Sequence, residues 1–284
     1  MQNEQVIVVG GGTMGTGIVY VSAYAGYDVT VVEPSAERAE VCRRELKQAA
    51  QQAVTRGKLD ADGAETMLAR IRYQSDIAAY DGPRPQVVIE TVSERRDLKH
   101  RVLAQIEALE PELVGTNTSA LSIDGLATVL SRPERFLGMH FFQPVWSFKF
   151  MEIVRGRGTS DTAVAAAKAY AERVGKQTVV VRDVPGFATS RLDLISSLEA
   201  IRMLEDGVAS AEDIDRASVL AFHHPIGPLR LTDMVGLDVR LDIARVLEAS
   251  YGERYRPPAL LIEMVEKGLL GRKSGRGFFE WPEV

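Results

Sequence analysis

Residues 6–33, VIVVGGGTMGTGIVYVSAYAGYDVTVVE, constrain the fold more than any other part of the chain. Val6 to Val9 form a run of β-branched, apolar residues, the pattern of a strand buried on both faces. Gly10, Gly12 and Gly15 follow at once in the spacing G-x-G-x-x-G. In such a turn one glycine makes the tight bend, one lets backbone approach a pyrophosphate, and one lets helix pack on strand. Periodicity then predicts a helix from Met14 to about Ala25, whose free N–H groups and dipole favour an anion at the turn. Gly26 ends it, YDVTVV reads as a second buried strand, and Glu33 stands at that strand's C-terminal end. The plain alternative is a glycine turn beside a surface glutamate. Strand, glycines, helix, strand and terminal acid in sequence instead specify a β-α-β dinucleotide site. Glu33 accepts both hydroxyls of an adenine ribose and repels a 2′-phosphate, so NAD is expected over NADP.

A chain of 284 residues exceeds a single nucleotide domain and implies two, each with its own core. No apolar run approaches membrane-span length, so no membrane role is expected. The opening MQNEQ lacks the basic and apolar regions of a signal peptide, which points to the cytoplasm. Cys42 is the only cysteine; it excludes an internal disulfide and a cysteine-ligated zinc site. A net charge of -5 argues against general nucleic-acid binding. His100, His140, His223 and His224 show no metal-ligand spacing, so no metal is expected.

Residues 35–72 read as one or two helices broken near Gly57. Strands are expected in PQVVIETV, LVGTNTS, RFLGMHFFQP, FKFMEIV and QTVVVRD, with helices in RDLKHRVLAQIEALE and TAVAAAKAYAERVG. Strands alternating with helices require a mostly parallel sheet, here a doubly wound α/β sheet of Rossmann type. Pro185 and Gly186 in DVPGF break the pattern, and only helical signals follow, among them Leu194, Leu198 and Ile201 on one helix face. The expected division is an NAD-binding domain over 1–184 and an all-α domain over 185–284.

Three polar residues lie where strands end or begin: Ser119 in TNTSALS, His140 in GMHFFQP and Glu152 in FMEIV. Ligands of open α/β sheets bind outside the carboxyl ends of the strands, so these side chains can converge on one site. Histidine takes a hydroxyl proton, a carboxylate orients the ring and stabilises its cation, and a serine hydroxyl holds a substrate oxygen. On the residues alone, plain readings stand beside these: a satisfied core histidine, a turn serine and an ion-pair partner.

The ordered motifs GGGTMGTGI, VIETVSERRDLK, TNTSALSI, GMHFFQPV, KFMEIVRG, GKQTVVVRDVPGF, SLEAIRMLEDGVAS, EDIDRA, PIGPLRLTDMVGLDV and GRKSGRGFF resemble the 3-hydroxyacyl-CoA dehydrogenase family over essentially the whole chain. The resemblance implies an NAD-dependent oxidation of an L-3-hydroxyacyl-CoA, of the kind used in fatty-acid β-oxidation, by a homodimer assembled through its helical domain. It makes His140 the base, Glu152 its partner and Ser119 the contact to the substrate's 3-oxygen. It places Gly10, Gly12, Thr13, Met14, Gly15, Glu33, Glu94, Lys99, Asn117 and Lys273 around the cofactor, and Gln143 and Ser190 with Ser119 near the substrate. On pattern alone, Glu94 with Lys99 reads as a solvated charge pair and Lys273 as part of a basic surface turn. Arg56 and Lys58 are candidates for the CoA phosphates, although the residues by themselves favour a solvated helix end.

Two departures stand out: Gln143 replaces the asparagine of HFFNP, and Ser190 stands where many members carry asparagine. Phe148 and Phe150 stand where relatives more often show a methionine and a leucine, and strand alternation predicts them on the same face as Glu152, either crowding an acyl channel toward short substrates or packing in the core. Two other functions stay open: a dehydrogenase of a free hydroxy acid or sugar acid, and a NAD-binding interaction protein without catalysis.

Overall fold

Short apolar runs separated by capped helices become the eight strands of one sheet in the computed structural model, which describes residues 4–282. The chain divides between Val184 and Pro185 into two units, each with its own apolar core. In the first unit β1 (Gln5–Val9), α1 (Thr13–Tyr24) and β2 (Asp28–Val32) form the β-α-β unit read from the glycines. They are followed by α2 (Ala36–Thr55), α3 (Ala61–Ala69), β3 (Ile71–Gln74), β4 (Val87–Glu90), α4 (Arg96–Glu107), β5 (Leu113–Thr116) and α5 (Ile123–Ala127). Then come β6 (Phe136–Phe141), β7 (Phe150–Arg155), α6 (Asp161–Arg173) and β8 (Gln177–Arg182).

The strand order is β3-β2-β1-β4-β5-β6-β7-β8. The chain winds outward from β1 through β2 to β3, then restarts with β4 on the other side. Such a reversal leaves a crevice at the strands' carboxyl ends. Every neighbouring pair is parallel except β6 with β7.

Local chemistry sets the element ends. Ser35, Asp60 and Ser160 each accept a backbone N–H three residues on, from Arg38, Gly63 and Ala163. These caps satisfy donors that a helix start leaves unpaired. Gly57, at φ 66°, breaks the helical stretch as expected. The helical reading to residue 72 runs too far. Residues 71–74 are an edge strand beside β2, with Ile71 opposite Val29. Its exposed Arg72 and half-buried neighbours give no apolar alternation, because an edge strand tolerates charge and has one sheet neighbour only. Strand–helix alternation also fails twice: only a single 3-10 turn, Ile77–Ala79, lies between β3 and β4, and no helix separates β6 from β7, where residues 142–149 simply reverse the chain.

Cys42 is fully buried in α2, and burial pushes its thiol up from the ordinary value. A neutral buried thiol is a poor nucleophile.

The second unit contains α7 (Thr189–Glu205), α8 (Ala211–Phe222), α9 (Pro228–Val235), α10 (Leu237–Tyr251) and α11 (Ala259–Glu266). Leu194, Leu198 and Ile201 form one fully buried face of α7. Two buried aspartates organise the rest. Asp215 accepts the N–H groups of Leu229 and Arg230 that open α9, at 2.8 and 2.9 Å. Asp233 accepts Phe278 N, Phe279 N and Trp281 Nε1, all at 2.9 Å, fastening the last described residues to the helices. Among the described residues no helix is long and apolar enough to cross a membrane.

Candidate active site

The glycine turn is built around close backbone approach. Gly10 has φ 110°, and Thr91 Oγ1 donates to the carbonyls of Val9 and Gly10 at 3.0 and 2.9 Å. A Cβ at Gly15 would lie 1.9 Å from Gly10 O, so only glycine lets α1 start there. Gly12 differs: the one atom within 4 Å of its ideal Cβ position is Arg38 Nη1, at 3.9 Å. Open space over a helix N-terminus is a cradle for a phosphate. Thr13 and Met14 open α1, no acidic residue stands in its first turn, and its first N–H groups are free of helical partners.

Glu33 sits over this turn. Its carboxylate accepts Gly11 N at 2.8 Å and Ser35 N at 2.9 Å, one on each oxygen. That fixes the group while leaving lone pairs toward a cavity of about 570 Å³ lined by Gly10, Gly12, Glu33, Arg38, Thr91 and Val92. Cavity, cradle and acceptor pair fit an adenosine and its pyrophosphate.

A second group of residues lies under the loops after β4 and β5. Glu94 Oε1 accepts Thr118 Oγ1 at 2.5 Å and the N–H groups of Ser119 and Ala120 at 3.0 and 3.1 Å. Burial works to raise the Glu94 carboxyl, but the Thr118 hydroxyl, the Lys99 ammonium and the two N–H groups together hold it below its ordinary value. A carboxyl depressed in this way keeps its charge through the neutral range. The stability it lends is complete above its unfolded-state value and is lost only as pH falls through the depressed one. Lys99 is 1 % exposed, so the solvated-pair reading does not hold: the ammonium is sealed between Glu94 at 3.3 Å and Glu90 at 2.8 Å.

The third group is the pair itself. β6 and β7 run antiparallel with His140 directly opposite Glu152, so both side chains rise from the same face. His140 Nδ1 lies 3.0 Å from Glu152 Oε2, with His140 7 % and Glu152 0 % exposed. An ionised carboxylate only accepts, so Nδ1 is the donor in this contact. Asn117 Oδ1 accepts Phe141 N at 2.9 Å, locking the end of β5 to the residue after His140. The Phe142 ring packs on the imidazole at 4.5 Å between centroids and meets Phe150 and Phe148 at 5.4 and 6.4 Å.

Phe148 reaches this cluster differently from the alternation argument. β7 begins at Phe150, and Phe148 belongs to a turn whose N–H donates to Pro144 O.

Gln143 is exposed in the loop after β6. Ser190 lies in the first turn of α7, and Lys273 pairs with Asp238 at 2.5 Å; both belong to the helical unit. Sequence reasoning missed Glu90, Thr91, Thr118 and Phe142. A glutamate closing the otherwise apolar strand VVIE was a signal for the first, and nothing in the pattern singles out the others.

Loss of a proton and a hydride from one alcohol needs a proton acceptor on the same sheet edge as a dinucleotide cradle, and that requirement places the chain among the nicotinamide-dependent dehydrogenases. Comparison with known proteins narrows the class. Residues 5–184 match the family model described as the 3-hydroxyacyl-CoA dehydrogenase NAD binding domain, and residues 186–281 match that family's C-terminal domain. The chain belongs to the 3-hydroxyacyl-CoA dehydrogenase family.

It is 39% identical over 283 residues to a 3-hydroxybutyryl-CoA dehydrogenase of Mycobacterium tuberculosis, covering 98% of each chain. To a probable 3-hydroxybutyryl-CoA dehydrogenase of Bacillus subtilis it is 36% identical over 286 residues, 100% of this chain and 99% of that one. Among solved structures, (S)-3-hydroxybutyryl-CoA dehydrogenase from Ralstonia eutropha superposes with a TM-score of 0.93 at 37% identity, over 99% of this chain and 100% of that one.

Proposed function

We propose that this chain is an NAD-dependent L-3-hydroxyacyl-CoA dehydrogenase that reversibly oxidises a short-chain 3-hydroxyacyl-CoA to the 3-ketoacyl-CoA. The observation that carries the reading is the buried His140–Glu152 pair, in which the hydrogen bond at Nδ1 orients the imidazole on the carboxylate. In oxidation, Nε2 takes the proton of the substrate's 3-hydroxyl as the C3–H bond breaks and the carbonyl forms. Glu152 accepts from Nδ1–H throughout and stabilises the imidazolium. Ser119 donates to the 3-oxygen. Bound NAD supplies the acceptor for the hydride leaving C3. In reduction the imidazolium returns the proton to the same oxygen. Gly12, Thr13 and Met14 hold the pyrophosphate and Glu33 the adenine ribose. Glu94, Lys99 and Asn117 serve the nicotinamide end, and Lys273, Gln143 and Ser190 complete the set the family pattern implies.

Support for a CoA handle comes from a second cavity, of about 410 Å³, lined by Tyr20, Tyr24, Arg56, Lys58, Trp146 and Lys176. Aromatic faces with several cations suit a nucleotide bearing phosphates. In the chain as a whole, the helical unit exposes Leu192, Leu220, Phe222 and Val246, between 54% and 71% of each. So much apolar surface supports assembly with a second copy of the chain. A lone buried cysteine accords with a cytoplasmic enzyme.

The direct test is NADH absorbance across acyl-CoA chain lengths, with free hydroxy acids and sugar acids as controls. Thioesters are expected to react; activity confined to free acids would replace this reading. Because Phe148 lines the cation-rich cavity and its ring also meets Phe142, kcat/KM should fall beyond about six carbons, and Phe148→Ala should relax the limit. Equal activity on a sixteen-carbon thioester would remove the crowded-channel argument alone.

Glu33→Ala is expected to weaken NAD binding about tenfold or more and to narrow the gap to NADP, since ribose acceptors and repulsion vanish together. Titration of both cofactors by fluorescence checks this, and a wild-type protein preferring NADP would contradict it.

A further inference from the structure

Glu90, the last residue of β4, is 0 % exposed and has no place in the chemistry described so far. Its carboxylate accepts Lys99 Nζ at 2.8 and 3.0 Å, Thr116 Oγ1 at 2.6 Å and Val92 N at 2.7 Å. One buried group therefore gathers the end of β5, the loop after β4 and the first turn of α4. Lys99 Nζ continues outward, donating to Val92 O at 3.1 Å and pairing with Glu94 at 3.3 Å. Glu94 in turn holds Thr118 and the backbone of Ser119 and Ala120. An unbroken line of charges and hydrogen bonds runs from the sheet to the loop that carries Ser119.

We propose that Glu90 is a positioning residue: through Lys99 and Glu94 it fixes where the 118–120 loop presents the Ser119 hydroxyl. The proposal rests on the reading that Ser119 contacts the substrate's 3-oxygen. Stability alone accounts poorly for such a group. Val87, Val88 and Ile89 precede it in the same buried strand, and a further apolar residue would finish β4 without desolvating a charge. Burial indeed pushes the Glu90 carboxyl up, against the pull of Lys99, Thr116 and Val92 N–H. Buried ion pairs of this kind add little net stability over apolar packing, while removal of one partner strands the other.

The division of Lys99 between two carboxylates gives the mechanism. With Glu90 neutral, the ammonium is drawn wholly to Glu94 and pulls that carboxylate inward. Glu94 Oε1 then leaves the N–H groups of Ser119 and Ala120, and the loop shifts with it. A displacement of about 1 Å at a substrate contact costs on the order of a hundredfold in rate.

The test is a double-mutant cycle read as kcat/KM for the acyl thioester. Glu90→Gln is expected to lower activity about 30-fold in the otherwise unchanged enzyme, but less than about 3-fold when Ser119 is already alanine. A role confined to general stability would reduce both backgrounds by the same factor. Equal factors, or no loss in the single variant, overturn the proposal while leaving the dehydrogenase reading in place. A wild-type protein inactive on every thioester overturns both. Should Glu90→Gln not fold, judged by circular dichroism and thermal melting, Thr116→Val removes one donor to Glu90 at nearly constant volume. It is expected to show a loss of about fivefold that disappears in the Ser119→Ala background, and an undiminished loss there is equally decisive against the proposal.

Discussion

Glu152→Gln is expected to lower turnover roughly a hundredfold, and His140→Gln roughly a thousandfold, with NAD affinity changed far less in either. The two values differ because the two side chains do different work. Glutamine at 152 still places an oxygen near Nδ1, 3.0 Å away in the present geometry, and so still orients the imidazole. It carries no charge, and the imidazolium formed as the hydroxyl proton arrives loses its buried counter-ion. At 140 the proton acceptor itself disappears. Both changes are close in size to the residues they replace, and the flanking β6–β7 ladder is backbone, so the fold should survive. Stopped-flow NADH formation separates the chemical step from binding, and thermal melting checks the fold. Wild-type turnover in Glu152→Gln would make Glu152 structural; a nearly normal rate in His140→Gln would remove His140 as the base.

What sequence could read and what it could not divide along physical lines. The β-α-β unit was legible because every part of it is local: four apolar residues, three glycines and a helical period within a single stretch. That His140 and Glu152 meet side by side was only one of the readings their residues left open, since nothing in their separation along the chain says that they oppose each other. Antiparallel register does that, and register is set by a loop, 142–149, with no regular pattern. β3 was hidden for the reason that makes it an edge: one neighbour, and a charge facing water. Lys99 shows the sharpest gap. By its sequence it belongs on the polar side of an amphipathic helix, yet Glu90 and Glu94 enclose it, and their convergence exists only after the sheet has formed.

The glycine turn yields a prediction of comparable size, in which two neighbouring substitutions should part company. Gly15→Ala puts a methyl group 1.9 Å from Gly10 O and 2.8 Å from Thr91 Oγ1. Backbone oxygen cannot swing aside as a side chain does, so α1 must move off β1 or the Gly10 turn must open. Overpacking a tight contact costs on the order of 1–3 kcal/mol, and here it also dismantles the phosphate cradle, so both the melting temperature and NAD binding should fall. Gly12→Ala meets only Arg38 Nη1, at 3.9 Å, and Gly12 has φ -73° and ψ -176°, which alanine adopts freely. Its melting temperature should therefore stay within a few degrees of wild type, because the free protein has room for the methyl group. NAD is where the room is needed: the added carbon occupies the close approach of backbone to pyrophosphate, and affinity should drop about a hundredfold. Calorimetric melting and NAD titration of the two variants resolve the pair. Normal NAD affinity in Gly12→Ala would mean that the pyrophosphate does not lie over that glycine, and the cradle would have to be placed elsewhere on the turn.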